Sequence, residues 1–165
     1  MVKSPPRELA SSALTMTDQF DRIYRDHASR MWRALTAYSG NRDVAKDAVS
    51  EAFAQAIARG TAIRSPERWV WRAAYRIAAG ELKKRAVQTN LSVEPAIEPD
   101  EPAWEIRAAL SQLPPQQRAA VILHYYAGYP AREIALITET TPAAVWMSLS
   151  RGRQLLRRIL EANNG

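Results

Sequence analysis

The stretch WVWRAAYRIAAGELKKR, residues 69–85, places aromatic rings among cations and is too charged to cross a membrane. On a helix, its small apolar side chains form one narrow stripe, made of Val70, Ala73, Ala74 and Ile77. The opposite face carries Trp71 and Tyr75 beside arginines, whereas Trp69 is expected to complete the core. Cations follow a phosphate backbone and exposed rings stack on unpaired bases. The pattern therefore predicts contact with single-stranded DNA.

A second basic helix is expected to begin at Thr141-Pro142, because threonine is a good N-cap and proline fits the first helical turn. Its buried stripe is Val145, Leu149, Gly152, Leu156 and Ile159, and its arginines at 151, 153, 157 and 158 lie off that stripe. A short helix over residues 131–137 and the link TET precede it, which is a helix-turn-helix arrangement. The arginines are predicted to contact phosphates, the alternative being a solvated face that favours the helix dipole.

Acidic side chains recur every four residues at Asp43, Asp47 and Glu51, beside the buried stripe of another predicted helix. Like charges at this spacing repel each other on a helix. Two readings stay open, a solvated face or a docking site for a basic protein surface.

Residues suited to catalysis or metal binding are scarce in the 165-residue chain. It has no cysteine, and its two histidines are His27 and His124. His27 lies in phase with Phe20 and Met31, which favours a packed core histidine. We therefore expect no enzymatic activity, no metal and no cofactor.

Charge and proline content divide the chain into segments. The net charge is +6 with a pI near 10.0, which favours polyanionic partners. Residues 86–103 carry −4 and contain three prolines. No alternating strand pattern occurs, so the predicted fold is all-α, with two small helical domains joined by a flexible acidic linker and a helix-turn-helix in the second. The predicted segments are a disordered arm over 1–16, a first domain over 17–85, a linker over 86–103 and a second domain over 104–165.

The helical patterns also predict the cores. In the first helix the inward face is Phe20, Ile23, Tyr24, His27, Met31, Leu35 and Tyr38. In the second it is Val44, Ala45, Ala48, Val49, Ala52, Phe53 and Ala56. In the second domain Val121, Ile122 and Tyr125 are expected to point inward. No apolar run is long enough for a membrane span, and the start lacks a signal-peptide core, so we expect a cytoplasmic protein without membrane insertion.

Together these segments resemble bacterial RNA polymerase sigma factors of the extracytoplasmic-function (ECF) group, which retain only regions 2 and 4. DVAKDAVSEAF (43–53) is similar to the region 2.2 helix, and RWVWRAAYRIAAGELKKR (68–85) to regions 2.3 and 2.4. ALSQLPPQQRAAVILHYYAGYPAREIA (109–135) is similar to the opening of region 4, and TPAAVWMSLSRGRQLLRR (141–158) to its recognition helix.

The resemblance implies a non-catalytic subunit that binds core RNA polymerase, through the clamp helices of the largest subunit and the flap, and that directs it to promoters. The polymerase-binding residues implied are Asp43, Asp47, Ser50, Glu51 and Phe53. The residues implied to bind the unpaired strand at the −10 element are Arg64, Ser65, Arg68, Trp71, Arg72, Tyr75, Arg76, Lys83, Lys84 and Arg85. For duplex DNA at the −35 element they are Thr141, Ala143, Ala144, Trp146, Met147, Ser148, Ser150, Arg151, Arg153 and Arg157. Anti-sigma factors hold many relatives, and the sequence identifies none for this chain.

The chain departs from the family pattern in two places. Arg76 and Gly80 stand where the family usually has Asn and Asp. In the recognition helix, Trp146 and Ser148 replace two basic residues of the usual pattern. Readout of the −35 element is therefore expected to use apolar contact with thymine methyl groups or the downstream arginines.

Two other functions fit part of the sequence. A helix-turn-helix regulator that binds duplex DNA without polymerase would explain the last helix, but would leave the acidic stripe unused. A helical protein-interaction adaptor would not need the basic faces.

Overall fold

The computed structural model describes residues 7–88 and 104–165, with side chains from residues 15 and 105 onward in the two ranges. All regular secondary structure in these two ranges is helical. The prediction of an all-α chain is confirmed. Within the same ranges, no helix is both long enough and apolar enough to span a bilayer.

The N-terminal module consists of α1 (Arg7–Ser39), α2 (Arg42–Arg59) and α3 (Pro66–Gln88). Between α1 and α2 the chain turns at Gly40, whose φ of 68° suits a residue without a Cβ. Asn41 then caps α2, because its side-chain oxygen accepts a hydrogen bond from the Val44 amide at 3.0 Å. A short 3-10 turn, Gly60–Ala62, leads towards α3.

Alanines and β-branched residues bring the three helices of this module close together. All seven residues predicted for the inward face of α2 are buried. Most of the α1 prediction is also correct, with Phe20, Met31, Leu35 and Tyr38 buried. Tyr24 is an exception, because about half of its surface is exposed while its ring meets Phe53 edge-on at 5.0 Å.

The described helices extend past two of the predicted segment limits. Helix α1 begins at Arg7, so residues 7–16 are helical and not a disordered arm. Helix α3 continues to Gln88, three residues past the predicted end of the domain at residue 85. The remainder of the predicted arm (1–6) and of the predicted linker (89–103) lies outside the described residues.

The C-terminal module consists of α4 (Trp104–Ser111), α5 (Pro115–Val121), α6 (Ala131–Thr138) and α7 (Pro142–Asn163). A wider π turn, Ile122–Tyr126, continues α5. The prediction that Tyr125 points inward is wrong, because its side chain is 56% exposed. In the π turn the side-chain positions shift relative to an α-helical repeat, which a 3.6-residue pattern does not anticipate.

Helices α6 and α7 form the predicted helix-turn-helix. Glu139 ends α6 in a left-handed conformation with φ of 56°, and the Thr141 side chain caps α7 by accepting from the Ala144 amide at 3.2 Å. Gly152 lies where α7 crosses α5. A Cβ at this position would stand 2.8 Å from a methyl carbon of Val121, so the two helices approach closely only with glycine there.

The two modules pack against each other and share one hydrophobic core. At one end of this contact the Arg118 guanidinium donates to the carbonyl oxygens of Leu110 and Leu113 and, at 2.7 Å, to that of Tyr38 near the end of α1. A cation beside the carbonyl end of a helix is favourable, because the helix dipole is negative there. The contact between the modules therefore determines which faces of each module remain exposed.

Candidate nucleic-acid interface

Trp71 on α3 does not face solvent. Its side chain is 1% exposed and is among the largest fully buried side chains in the described part of the chain. The ring of Tyr129, from the C-terminal module, meets it edge-on with centroids 5.5 Å apart. In this arrangement the Trp71 ring is part of the core and is not available to stack on unpaired bases.

The buried face of α3 is rotated relative to the predicted stripe. Val70, Trp71, Ala74 and Ala78 are buried, while Ala73 and Ile77 are only half-buried. Residues advance by about 100° around a helix, so this set is centred on the side of Trp71. On that side Trp71 meets Tyr129 of the C-terminal module, and α6 also packs against α3.

Tyr75, the second aromatic residue predicted to stack on DNA, is also partly covered. Its ring lies 5.2 Å from that of Tyr38, and both belong to the contact between α1 and α3. Burial and the neighbouring Tyr38 hydroxyl raise the pKa of Tyr75 well above its ordinary value. The hydroxyl stays protonated, and the ring is not presented as an open stacking platform.

The arginines of α3 reach carboxylates of the C-terminal module. Arg68 donates to Glu133 on α6 at 2.8 Å, and Arg72 donates to Glu139. Arg76 lies 3.2 Å from the same carboxylate of Glu139. The hydrogen bond from Arg72 lowers the pKa of Glu139, so this side chain is ionised at neutral pH.

The remaining members of the predicted −10 set lie at the two ends of α3. Arg64 and Ser65 are exposed in the loop before the helix, and Lys83, Lys84 and Arg85 are exposed towards its last turn. Arg85 pairs with Glu81 one turn earlier, at 3.3 Å. Arg76 and Lys83 line one side of a cleft of about 500 Å³, and Glu139 and Ser148 line the other.

The recognition helix α7 has the exposure that the sequence predicts. Val145, Leu149 and Gly152 are buried, and Leu156 and Ile159 are half-buried. Of the predicted −35 set, Ala144 and Ser148 are half-buried, and the exposed members are Thr141, Ala143, Trp146, Met147, Ser150, Arg151, Arg153 and Arg157. The Arg153 guanidinium donates to the Tyr125 hydroxyl at 2.9 Å, which orients this cation on the module surface.

Trp146 stands out on α7 because it is 55% exposed, next to Met147 at 52%. Its ring centroid lies 6.3 Å from that of His124, whose Nδ1 is 2.9 Å from the carbonyl oxygen of Tyr129. The two aromatic side chains form an apolar edge beside the arginines. Such an edge suits contact with thymine methyl groups and sugars.

The acidic face of α2 is exposed. Asp43, Asp47, Ser50 and Glu51 all face solvent, and Gln55 donates to Glu51 at 2.9 Å. Phe53 does not belong to this face. It is 5% exposed, because position 53 lies on the buried stripe of α2. Its ring contacts that of Tyr24.

Sequence reasoning missed two groups of side chains. Tyr129, Glu133 and Glu139 oppose the basic face of α3, and no local pattern could show which helix face they would meet. Tyr24 and Ile57 are large exposed apolar side chains of α1 and α2. Exposed apolar side chains of this size indicate a contact surface, and only the structure shows that these two are exposed.

Polar groups suited to metal binding are not assembled. Among the described residues no group of three or more His, Asp or Glu side chains could hold a metal ion. His27 is half-buried, with Nε2 3.6 Å from a carboxylate oxygen of Glu67.

Comparison with known proteins gives this arrangement a family context. The family model described as sigma-70, region 4 matches residues 103–156, which span α4 to α6 and most of α7. The ECF RNA polymerase sigma factor SigE of Mycolicibacterium smegmatis is 28% identical over 158 residues, covering 86% of this chain and 61% of its own length. RNA polymerase sigma factor SigV of Bacillus subtilis is 27% identical over 141 residues, covering 80% of this chain and 85% of its own length.

The chain is therefore similar to bacterial RNA polymerase sigma factors over most of its length, one of them of the ECF group, and its C-terminal module matches sigma-70 region 4.

Two solved structures share the fold of this chain. The sigma factor RpoE, solved with the anti-sigma factor NepR from Bartonella quintana, superposes with a TM-score of 0.73 at 19% identity, covering 87% of this chain and 97% of that one. CnrH, solved with the cytosolic domain of CnrY, gives a TM-score of 0.71 at 16% identity, covering 93% and 94%. At these identities the comparison establishes the fold only. The chain spans 61% of the length of the SigE relative.

Proposed function

We propose that this chain is an ECF sigma factor that binds core RNA polymerase, directs it to promoters and takes part in opening DNA at the −10 element. The observation that supports this best is the separation of charge on one helical scaffold. An exposed acidic face on α2 and exposed arginines on α7 belong to the same chain. A regulator that binds duplex DNA alone uses the basic face and has no use for the acidic one.

The two modules would divide this work. We assign residues 17–85 to sigma region 2 and residues 104–165, which contain all but the first residue of the family match, to region 4. Residues 86–103 would connect them. This ECF sigma factor would thus reach two promoter elements from one polymerase.

The proposed polymerase contact of region 2 is the face made of Asp43, Asp47, Ser50 and Glu51. Its occupant would be a basic surface on the clamp helices of the largest subunit, because exposed carboxylates repel DNA. Phe53 would act indirectly by supporting the exposed ring of Tyr24. The flap of the polymerase is the proposed contact of region 4.

For the −35 element, we propose that α7 lies in the major groove. Arg151, Arg153 and Arg157 would hold phosphates, while Trp146 and Met147 would meet base edges through apolar contact. For the −10 element, the proposed contacts are the basic side chains of α3 and the preceding loop around Arg64 and Ser65. No stacking role is assigned to Trp71, because it is buried.

Reconstitution of holoenzyme tests this function. Run-off transcription and promoter footprinting with purified core polymerase should show initiation that depends on this chain. Footprints at a promoter that form equally well without core polymerase would instead support the helix-turn-helix regulator.

Charge reversal on α2 tests the docking face. Asp47→Lys with Glu51→Lys should weaken binding to core polymerase by about 2–5 kcal/mol, because one partner of each desolvated charge pair is reversed. Helix content should not change, since both side chains are exposed. The matched control is Asp18→Lys with Asp21→Lys on α1, which changes the net charge equally at other exposed carboxylates. Equal affinity of wild type and the α2 variant in a binding titration would refute this assignment.

The proposed function also places the chain in the cytoplasm, where promoter DNA and polymerase are. An anti-sigma factor is a further partner class that we propose, because both similar structures were solved with a second protein, named as an anti-sigma factor in the RpoE structure. Co-purification from the native host would test this partner.

A further inference from the structure

The proposed −10 surface is occupied by the chain itself. Arg68, Arg72 and Arg76 lie one helical turn apart on α3, and each reaches a carboxylate of the helix-turn-helix unit. Glu133 comes from α6, and Glu139 comes from the link between α6 and α7. The cations that would hold a DNA strand are therefore engaged within the molecule.

The aromatic part of the same surface is covered as well. Tyr129 places its ring edge-on against Trp71 and donates its hydroxyl to Glu67 at 3.1 Å. Burial and the Glu67 carboxylate raise the pKa of Tyr129, so the hydroxyl remains a donor at neutral pH. Together, Tyr129, Glu133 and Glu139 cover three turns of α3.

The chemistry of the covering groups resembles that of a nucleic-acid strand. A guanidinium binds a carboxylate and a phosphate through the same planar N–H donors. Two carboxylates along a row of arginines thus occupy donors that backbone phosphates would use. A DNA strand and the helix-turn-helix unit cannot engage these donors at the same time.

The end of α6 directs the Glu139 side chain. Its φ of 56° is the left-handed conformation with which helices commonly end, and its amide donates to the carbonyl oxygen of Ala135. Here the conformation accompanies a carboxylate that reaches both Arg72 and Arg76.

We propose that the helix-turn-helix unit is an intramolecular competitor for the −10 strand, with Glu133 and Glu139 standing in for two backbone phosphates. This inference rests on the proposed function, because it assigns α3 to promoter binding. The closed arrangement hides the −10 surface in the isolated chain, and separation of the modules exposes it. The arginines in these pairs are 42–59% exposed, so the ion pairs of this contact are sensitive to salt.

Binding of a short fluorescent single-stranded oligonucleotide of random sequence, followed by anisotropy, tests the competition in the full chain. Glu133→Gln with Glu139→Gln keeps the side-chain shapes and removes both charges. This variant should bind about threefold to tenfold more tightly than wild type. The matched control is Glu105→Gln with Glu161→Gln, which removes two exposed carboxylates of the same module away from α3. No gain, or an equal gain in the control, would overturn the proposal.

A distance measurement tests the closed arrangement without DNA. The chain has no cysteine, so Ala54→Cys on α2 and Gln154→Cys on α7 offer exposed labelling positions in the two modules. Energy transfer between dyes should report a short distance in wild type and longer distances in the Glu133/Glu139 variant or in high salt. A distance that neither the substitutions nor salt changes would also overturn the proposal.

The two proposals fail in different ways. In one outcome, reconstituted polymerase does not initiate with this chain, but the Glu133/Glu139 variant opens and binds the oligonucleotide more tightly. The proposed function would then be wrong, and the intramolecular competition would still be supported. If transcription depends on the chain but the variant neither opens nor binds more tightly, only the competition is wrong.

Discussion

Helices α3 and α7 are both basic, both carry an aromatic residue among arginines, and both are predicted from sequence to face DNA. Only α7 presents its basic face to solvent, with Trp146 exposed and its arginines on the surface. On α3 the equivalent face meets the other module, Trp71 is buried and the arginines are paired. The difference is one of place: α7 lies at the edge of the molecule, and α3 lies between the two modules. A charged, aromatic helix face therefore shows a capacity to bind polyanions, but not which polyanion occupies it.

The largest expected effect separates the two tryptophans. Trp71→Ala should lower the free energy of unfolding by about 3–5 kcal/mol, because it empties a buried site of large volume. Trp146→Ala is the matched control and should change stability by less than about 0.5 kcal/mol, since its side chain is exposed. Urea unfolding followed by circular dichroism measures both. Similar midpoints for the two variants would mean that Trp71 is not a core residue.

A smaller contrast concerns one glycine in each helix. Gly152→Ala should destabilise by about 1–3 kcal/mol, because the new Cβ would stand 2.8 Å from a Val121 methyl carbon. Gly80→Ala on α3 meets no atom within 4 Å and should stabilise by about 0.4–1 kcal/mol through a less flexible unfolded chain. Thermal unfolding should therefore shift in opposite directions. A gain in stability for Gly152→Ala would show that α5 and α7 are less closely packed than described.

The smallest effect tests the DNA face of α7. Trp146→Lys should raise affinity for duplex DNA of any sequence and steepen its salt dependence by about one unit, because it adds one phosphate contact. If Trp146 reads bases, the preference for a −35 sequence should change too. Binding titrations of holoenzyme at several salt concentrations measure both quantities. Should neither quantity change, the residue does not meet DNA, and a protein contact on region 4 would explain its exposure better.

Local patterns were reliable wherever burial depends on one helix and its neighbours in sequence. The seven inward residues of α2, the Thr141 cap and the Val145, Leu149 and Gly152 stripe of α7 were all predicted correctly. These features follow from a 3.6-residue period and from the chemistry of helix ends. They also supplied the motifs from which the ECF resemblance was drawn.

The sequence by itself determined that the chain is helical, that α6 and α7 form a helix-turn-helix and that two helices carry basic faces. Only the tertiary structure decided which of those faces is open. Trp71 and Trp146 have similar local surroundings, and their burial differs because α6 packs on α3 and no other part of the described chain covers Trp146 to the same extent. Pairing of Arg72 with Glu139, 67 residues away, lies beyond any local pattern. Contacts between distant segments depend on how whole helices pack, and a helical period does not contain that information.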